Sequence, residues 1–194
     1  MNLVAMKRKV AGVLSKKRYE HTLATMDLSI KLAKHYGECD QKAAVAALLH
    51  DIAKEMADDQ LKKKLIAAAE GDYLNYAPLT WHAPVGAILA KEQYQMADEN
   101  ILNAIKYHCT GRPRMSKLEQ IIFLADYIEP GRAHSGVEAP RKWAFTNLEL
   151  AVYHALANTI DYLSSRKEKN IHPDTLAALN FYQTILGGDT TWIT

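Results

Sequence analysis

The stretch Ala47-Leu48-Leu49-His50-Asp51-Ile52-Ala53-Lys54 decides the fold of this chain. The run from Ala43 to Leu49 consists of good helix formers without a breaker, which predicts a buried helix. Burying a histidine and an aspartate at the end of such a helix costs free energy unless a partner binds their polar atoms. A metal ion accepts both an imidazole nitrogen and a carboxylate oxygen, whereas a hydrogen bond at the helix end is the alternative explanation of the pair.

Lys54 follows His50 by four residues and Asp51 by three, so on a continuing helix it shares their face. A cation beside a metal is repelled unless anions lie between them. The lysine therefore indicates an anionic substrate such as a phosphate compound.

The composition is typical of a globular protein, with 194 residues of which 48% are hydrophobic and 24% charged. The net charge of +2 is too small to favour a general nucleic-acid surface, and no apolar stretch has the length of a membrane span. Cys39 and Cys109 form no CxxC motif, and residues 1–13 lack the long apolar core of a signal peptide. We therefore expect one domain over residues 1–194 in a cytoplasmic protein that binds neither nucleic acid nor membrane, with a homodimer left open.

Helical periodicity predominates, and no β-rich run or internal repeat interrupts it, so the predicted fold class is all-α, a single helical bundle. The helices are expected at about residues 2–14, 18–36, 40 onward, 58–69, 80–94, 98–108, 116–128, 146–166 and 173–186. Their starts are predicted at the N-caps Asp40, Thr80 and Asp98, at capping boxes beginning with Ser116 and Thr146, and with Pro173 in the first helical position. The polar stretch 130–140 is interpreted as a functional loop, with a domain boundary as the alternative.

Four histidines and two aspartates lie on mainly apolar helical segments, namely His21, His50, Asp51, His82, His108 and Asp126. Each histidine alone is explained as well by a hydrogen-bonded core residue, and each aspartate by pairing with a nearby cation. If the six groups are buried separately, each needs its own hydrogen-bonding or charged partner, whereas one metal cluster can bind all six. Helical bundles build metal sites from side chains that project inward from facing helices.

The order of these residues resembles the HD-domain superfamily of metal-dependent phosphohydrolases, and the two extra histidines resemble its dinuclear members. The flanking motifs are similar to those of the YqeK family of symmetrical bis(5′-nucleosyl)-tetraphosphatases. They are R-Y-E-H-T, L-L-H-D-I-A-K, H-A-P-V-G-A, A-I-K-Y-H-C-T-G, A-D-Y-I-E-P-G-R and H-P-D-T-L-A-A-L-N, spread from residue 18 to residue 180. Cys109 is the clearest departure, because a threonine is expected there, and it is not a predicted ligand.

The resemblance implies that His21, His50, Asp51 and Asp126 hold one metal, and that Asp51 bridges to a second held by His82 and His108. It implies two iron ions, although the ligand chemistry alone also suits manganese, zinc or nickel. The implied reaction is the hydrolysis of diadenosine tetraphosphate (Ap4A) into two ADP by metal-bound hydroxide, so the expected partner is a nucleotide, with ADP or GDP as product.

A polyphosphate needs cations around it, and Lys54, Arg18 and Arg132 are the predicted catalytic and substrate-binding cations beside Asp51. Arg112, His134 and Thr25 are further predicted substrate contacts, and a solvated surface charge is the alternative for each basic residue. Six aromatic residues are candidates for stacking on a base, with core packing as the alternative: Tyr19, Tyr73, Tyr76, Trp81, Tyr107 and Tyr127. Tyr73 and Tyr76 are preferred because they fall in a predicted loop.

Two other functions fit the same residues. Other HD-domain proteins act on nucleoside monophosphates, guanosine tetraphosphate or cyclic dinucleotides. The second metal site argues against the simplest monophosphatases, and the absence of a Gly-Tyr-Pro triplet after the His-Asp pair argues against one phosphodiesterase class. A nucleotide sensor without useful turnover is the non-enzymatic alternative.

Overall fold

Helices provide nearly all the regular structure of the computed structural model, which describes residues 2–166 and 170–187. The described residues contain ten α-helices, two short 3₁₀ segments and no strand, which confirms the predicted all-α class. The α-helices are α1 (Leu3–Ala11), α2 (Lys16–His35), α3 (Asp40–Leu49), α4 (Asp58–Ala67), α5 (His82–Tyr94), α6 (Glu99–Lys106), α7 (Lys117–Ile128), α8 (Glu138–Trp143), α9 (Leu148–Ser165) and α10 (Pro173–Ile185). Within the two described ranges, no helix combines the length and apolar character needed to cross a bilayer.

Helix α3 lies at the centre of the fold and packs against α2, α5, α6 and α7. Its alanines let these neighbours approach closely, and its two leucines fill the space between them. The side chains of Ala43, Ala46, Ala47, Leu48 and Leu49 are fully buried. The apolar run therefore forms the predicted buried helix, and it delivers His50 and Asp51 to the interior at its C-terminal end.

Gly86 sets the approach of α5 to the end of α3. A Cβ at this position would lie 3.2 Å from the carbonyl oxygen of His50 and 3.3 Å from a methyl of Ile105. A larger residue would therefore push α5 away from α3 and α6. This close contact holds His82, one turn earlier on α5, against the His-Asp pair.

Three of the predicted helix starts are confirmed. Asp98 caps α6 by accepting from the backbone N–H of Asn100, and Ser116 caps α7 by accepting from the N–H of Glu119. Pro173 is the first residue of α10. Each satisfies or avoids one of the unpaired N–H groups of a first helical turn.

Three other predicted caps are wrong by one residue. Asp40 is the first residue of α3 rather than its cap, where its charge still favours the helix dipole. The hydroxyl of Thr80 donates to Ala77 O at 2.8 Å, because a 3₁₀ turn at Pro78–Thr80 precedes α5. Asn147 rather than Thr146 caps α9. The predicted loop 130–140 is also shorter than expected, since α8 begins at Glu138.

Candidate functional site

All six predicted metal ligands lie around the carboxylate of Asp51. His50 and Asp51 follow α3 directly, and the others come from α2, from the first turn of α5, from the turn after α6, and from α7. The Nε2 atoms of the four histidines lie 3.2 to 3.7 Å from an oxygen of Asp51. Asp126 Oδ1 joins the cluster 3.0 Å from His21 Nε2. The side chains predicted on five different helices are thus neighbours in space.

The two oxygens of Asp51 face different histidines. Oδ2 lies 3.5 Å from His50 Nε2 and 3.7 Å from His21 Nε2, whereas Oδ1 lies 3.2 Å from His82 Nε2 and 3.6 Å from His108 Nε2. A carboxylate placed this way can offer one oxygen to each of two cations. The cluster therefore has two adjacent halves that share Asp51.

The ring orientations leave Nε2 atoms free for a metal. His50 Nδ1 donates to Ala47 O at 2.6 Å, and His108 Nδ1 donates to Ile105 O at 2.7 Å. A neutral imidazole with its proton on Nδ1 has a lone pair on Nε2. Within the described part of the chain, the buried Nε2 atoms of His21 and His50 make no hydrogen bond. Such orphaned buried atoms fit a metal site, since a buried polar group otherwise requires a partner.

The charges also suit a cation. Burial alone would raise the pKa of Asp51, but His50, His108 and His82 hold it well below its ordinary value. Burial disfavours the charged form of His50, yet Asp51 and Asp126 outweigh it and raise the pKa of His50 to about 9. The interior of the cluster thus stabilises positive charge beside ionised carboxylates, which is the electrostatic requirement of a divalent-cation site.

Glu129 belongs to the site, although the sequence analysis did not select it. Its side chain is buried, and Oε1 lies 3.2 Å from His21 Nδ1. Its other oxygen accepts from the backbone N–H of Gly131. A carboxylate on the far nitrogen of a histidine fixes the ring and makes the coordinating nitrogen more basic. Its position directly after α7, as the first residue of the E-P-G-R motif, is the sequence feature that could have identified it.

Replacing Glu129 with glutamine is expected to weaken metal binding about 10- to 100-fold, because an outer-shell carboxylate contributes about that much. Calorimetric titration of metal-stripped protein measures the effect. Glu138→Gln is the matched control, because Glu138 is exposed and pairs with Arg141 nearby. Equal affinities in both variants would contradict an orienting role for Glu129.

Three predicted cations reach the cluster. Arg18 Nη1 donates to Asp51 Oδ2 at 2.8 Å, and Arg132 Nη2 donates to Asp126 Oδ1 at 2.6 Å. Lys54 Nζ lies 3.3 Å from both ring nitrogens of His82. Each cation therefore contacts a different residue of the cluster and adds positive charge beside it.

Two predicted substrate contacts are held elsewhere. Arg112 makes a two-point pair with the buried Glu119, from Nε to Oε2 at 2.6 Å and from Nη2 to Oε1 at 2.7 Å. Its guanidinium is therefore occupied by a structural partner. Thr25 is completely buried in α2, so substrate in an open cavity cannot reach its hydroxyl. Neither residue is part of the proposed substrate site.

A cavity of about 460 Å³ opens beside Asp126. Its lining includes Cys109, Asp126, Tyr127, Arg132, His134 and Asn158. Tyr127 is thus the predicted aromatic residue that reaches the cavity, where it packs edge-on against His134 at 4.7 Å. The preference for Tyr73 as an exposed platform is wrong, because Tyr73 is buried and stacks on His172. Tyr76 packs against the same histidine at 4.6 Å.

The helical fold and the buried cluster of histidines and aspartates together point to one family of helical proteins. A model of the HD domain matches residues 18–131, a span that contains all six clustered side chains, and the chain belongs to the HD domain family. A crystal structure from Clostridium acetobutylicum has the same fold, with a TM-score of 0.90 and 34% identity over 95% of this chain and 98% of that one. It is described as a "predicted HD superfamily hydrolase involved in NAD metabolism".

Proteins of similar sequence show which group of HD domain proteins this chain resembles. A protein of Halalkalibacterium halodurans is 45% identical over 168 residues, which cover 86% of this chain and 89% of that one. A protein of Bacillus subtilis is 41% identical over 170 residues, covering 87% and 90%. Both carry the name "Bis(5'-nucleosyl)-tetraphosphatase, symmetrical". Within the HD domain proteins, the chain therefore belongs with the symmetrical bis(5′-nucleosyl)-tetraphosphatases, and the resemblance inferred from its motifs is confirmed.

Proposed function

We propose that this protein hydrolyses Ap4A symmetrically, with one water molecule consumed and two ADP released. The observation that carries the proposal is the convergence of four histidines and Asp126 around Asp51, beside a cavity lined by Arg132. The proposal is supported by the names of relatives that match nearly the whole chain.

In this proposal His21, His50, Asp51 and Asp126 would hold one cation, and Asp51, His82 and His108 would hold the second. The division of the Asp51 oxygens between two pairs of histidines supports the assignment. We propose iron at both positions, and manganese, zinc or nickel are the alternatives that imidazole and carboxylate ligands also accept. When bound, the cations would activate water and offset charge on the phosphate oxygens.

The chain's own residues position the substrate around those cations. Arg132 is anchored by Asp126 and lies at the cavity wall, so its remaining N–H groups are placed to grip a phosphate. Lys54 contacts the ring of His82, and Arg18 contacts the carboxylate of Asp51. Water attacks the phosphorus of an inner phosphate, and the bond from that phosphorus to the central bridging oxygen breaks. ADP leaves on each side.

The cavity is suited to one nucleoside half of the substrate. Its volume of about 460 Å³ lies within the range of small-molecule sites, about 300–1,000 Å³. Tyr127 offers an aromatic ring, and the polar side chains of His134 and Asn158 also line the cavity. Because Asp126 lines the cavity, a nucleoside bound there places its phosphates at the metal cluster.

The test is product analysis in ¹⁸O-labelled water after reconstitution with each metal under anaerobic conditions. We expect ADP as the sole nucleotide product, with one labelled ADP for each Ap4A cleaved. ATP together with AMP would show asymmetrical cleavage and overturn the proposal. Metal-dependent turnover below about 1 per second, the low end of ordinary enzyme rates, would instead favour the nucleotide sensor.

A further inference from the structure

The thiol of Cys109 lies in the half of the cluster formed by His82 and His108. Cys109 follows His108 at the end of α6, and its Sγ is 3.4 Å from His82 Nε2. The ligand-type atoms of His82, His108 and Cys109 all lie within 4.8 Å of one another. The same residue lines the cavity, so the thiol sits between the cluster and the space proposed for substrate. Neither the six-residue motif nor the expected threonine assigns it a role.

The spacing of the donor atoms is that of ligands around one ion. A tetrahedral metal with bonds of about 2.0–2.1 Å to nitrogen or oxygen and about 2.3 Å to thiolate separates two nitrogens by about 3.3 Å, and sulfur from nitrogen by about 3.6 Å. His82 Nε2 lies 3.2 Å from His108 Nε2 and 3.4 Å from Cys109 Sγ. Asp51 Oδ1 lies 3.2 and 3.6 Å from the two histidine nitrogens. The two histidine nitrogens and the thiol are thus spaced as ligands of one ion, and the carboxylate of Asp51 lies beside the same nitrogens.

We propose that Cys109 is a ligand of the second cation, which would then be held by one sulfur, two nitrogens and one oxygen. The proposal rests on the second cation position of the proposed function and adds a donor to it. On binding, the thiol loses its proton to solvent and coordinates as thiolate.

A thiolate changes which metal the second position prefers. Soft sulfur ligands favour zinc and related thiophilic ions, whereas oxygen-rich sites suit manganese and magnesium. The position next to His82 should therefore retain zinc against manganese, while the His21 half, built from nitrogen and oxygen donors, should not share this preference. The two halves of the cluster would differ in metal selectivity because of one side chain.

Cobalt(II) replacing the native metals reports the sulfur directly, since a cobalt–thiolate bond adds a near-ultraviolet charge-transfer band. We expect the band in the wild-type protein and in Cys39→Ser, whose substituted thiol is exposed at the surface. We expect its loss in Cys109→Ser and Cys109→Thr, with the visible cobalt bands retained. A wild-type spectrum without the charge-transfer band at saturating cobalt would overturn the proposal, as would an unchanged band in both Cys109 variants.

Thiol protection in the Cys39→Ser protein is a second measurement that needs no change at the site. The chain has two cysteines, so Cys109 is then its only thiol. Saturating zinc should slow its modification by a thiol reagent at least about tenfold, and an unchanged rate would contradict coordination. If the charge-transfer band is present but Ap4A yields no ADP, the proposed reaction is refuted and the thiolate ligand is not. If Ap4A yields ADP but the band is absent, the thiolate ligand is refuted and the proposed reaction is not.

Discussion

Replacement of Asp51 by asparagine is expected to lower kcat for Ap4A hydrolysis at least about 10³-fold, equivalent to about 4 kcal/mol. The reason is that each carboxylate oxygen faces a different pair of histidines. Asparagine keeps one neutral oxygen and turns an NH₂ group toward the other pair, so at least one cation position loses its anionic ligand. Steady-state kinetics and metal analysis of the same sample measure the result, and we expect fewer than two bound metals.

Asp59→Asn provides the matched control for this substitution. Asp59 is an exposed carboxylate on α4 that pairs with Lys63 at 3.6 Å, so its loss should leave kcat and metal content unchanged. Circular dichroism of both variants separates a lost site from a lost fold. An Asp51→Asn protein that keeps two metals and turns over within tenfold of wild type would contradict the bridging role.

Replacement of Arg132 by alanine is expected to lower kcat about 10²- to 10³-fold while metal content stays the same. This is the usual effect of removing one positioned donor from developing charge. Arg132 is held by Asp126 through Nη2 at 2.6 Å and through Nε to the backbone oxygen at 2.9 Å, and it lines the cavity. Arg132→Lys should recover only part of the loss, because an ammonium cannot offer two parallel N–H groups.

Arg112→Ala separates a structural arginine from a substrate-binding one. Arg112 is paired with the buried Glu119, so its removal leaves that carboxylate unsatisfied and should cost about 1–3 kcal/mol of stability. We expect a lower Tm and kcat/KM within about threefold of wild type for the folded protein. Equal losses of kcat in the Arg112 and Arg132 variants, without a change in Tm, would contradict this division of roles.

Local sequence patterns predicted the helices and several of their ends, because helix formation and capping depend on residues within one turn. Asp98 and Ser116 cap as expected, since each is followed directly by its helix. Thr80 and Thr146 do not, because a preceding turn uses their hydroxyls and moves the helix start by one residue. When two residues that can cap a helix are adjacent, as Thr146 and Asn147 are, the sequence does not show which one caps it, because the choice depends on the backbone conformation.

The sequence also identified the six clustered side chains, because one shared metal cluster satisfies six buried polar groups that would otherwise each need a separate partner. It missed Glu129 and the position of Cys109. Glu129 lies 108 residues from His21 along the chain, and only the packing of α7 against α2 joins them. Likewise, Cys109 meets His82 across two helices, at a distance that no local spacing encodes.

The sequence by itself determined the helical class, the buried centre around α3 and the residue types that converge there, because these follow from hydrophobic periodicity and the cost of burying polar groups. Only the tertiary structure decided how the cluster divides around the two oxygens of Asp51, and which arginine faces the cavity. The physical reason is that partner choice among side chains distant in sequence depends on the relative placement of whole helices. In the sequence, Arg112 and Arg132 are both arginines in polar segments that follow a proposed ligand. Helix packing pairs Arg112 with the buried carboxylate of Glu119 and places Arg132 in the lining of the cavity.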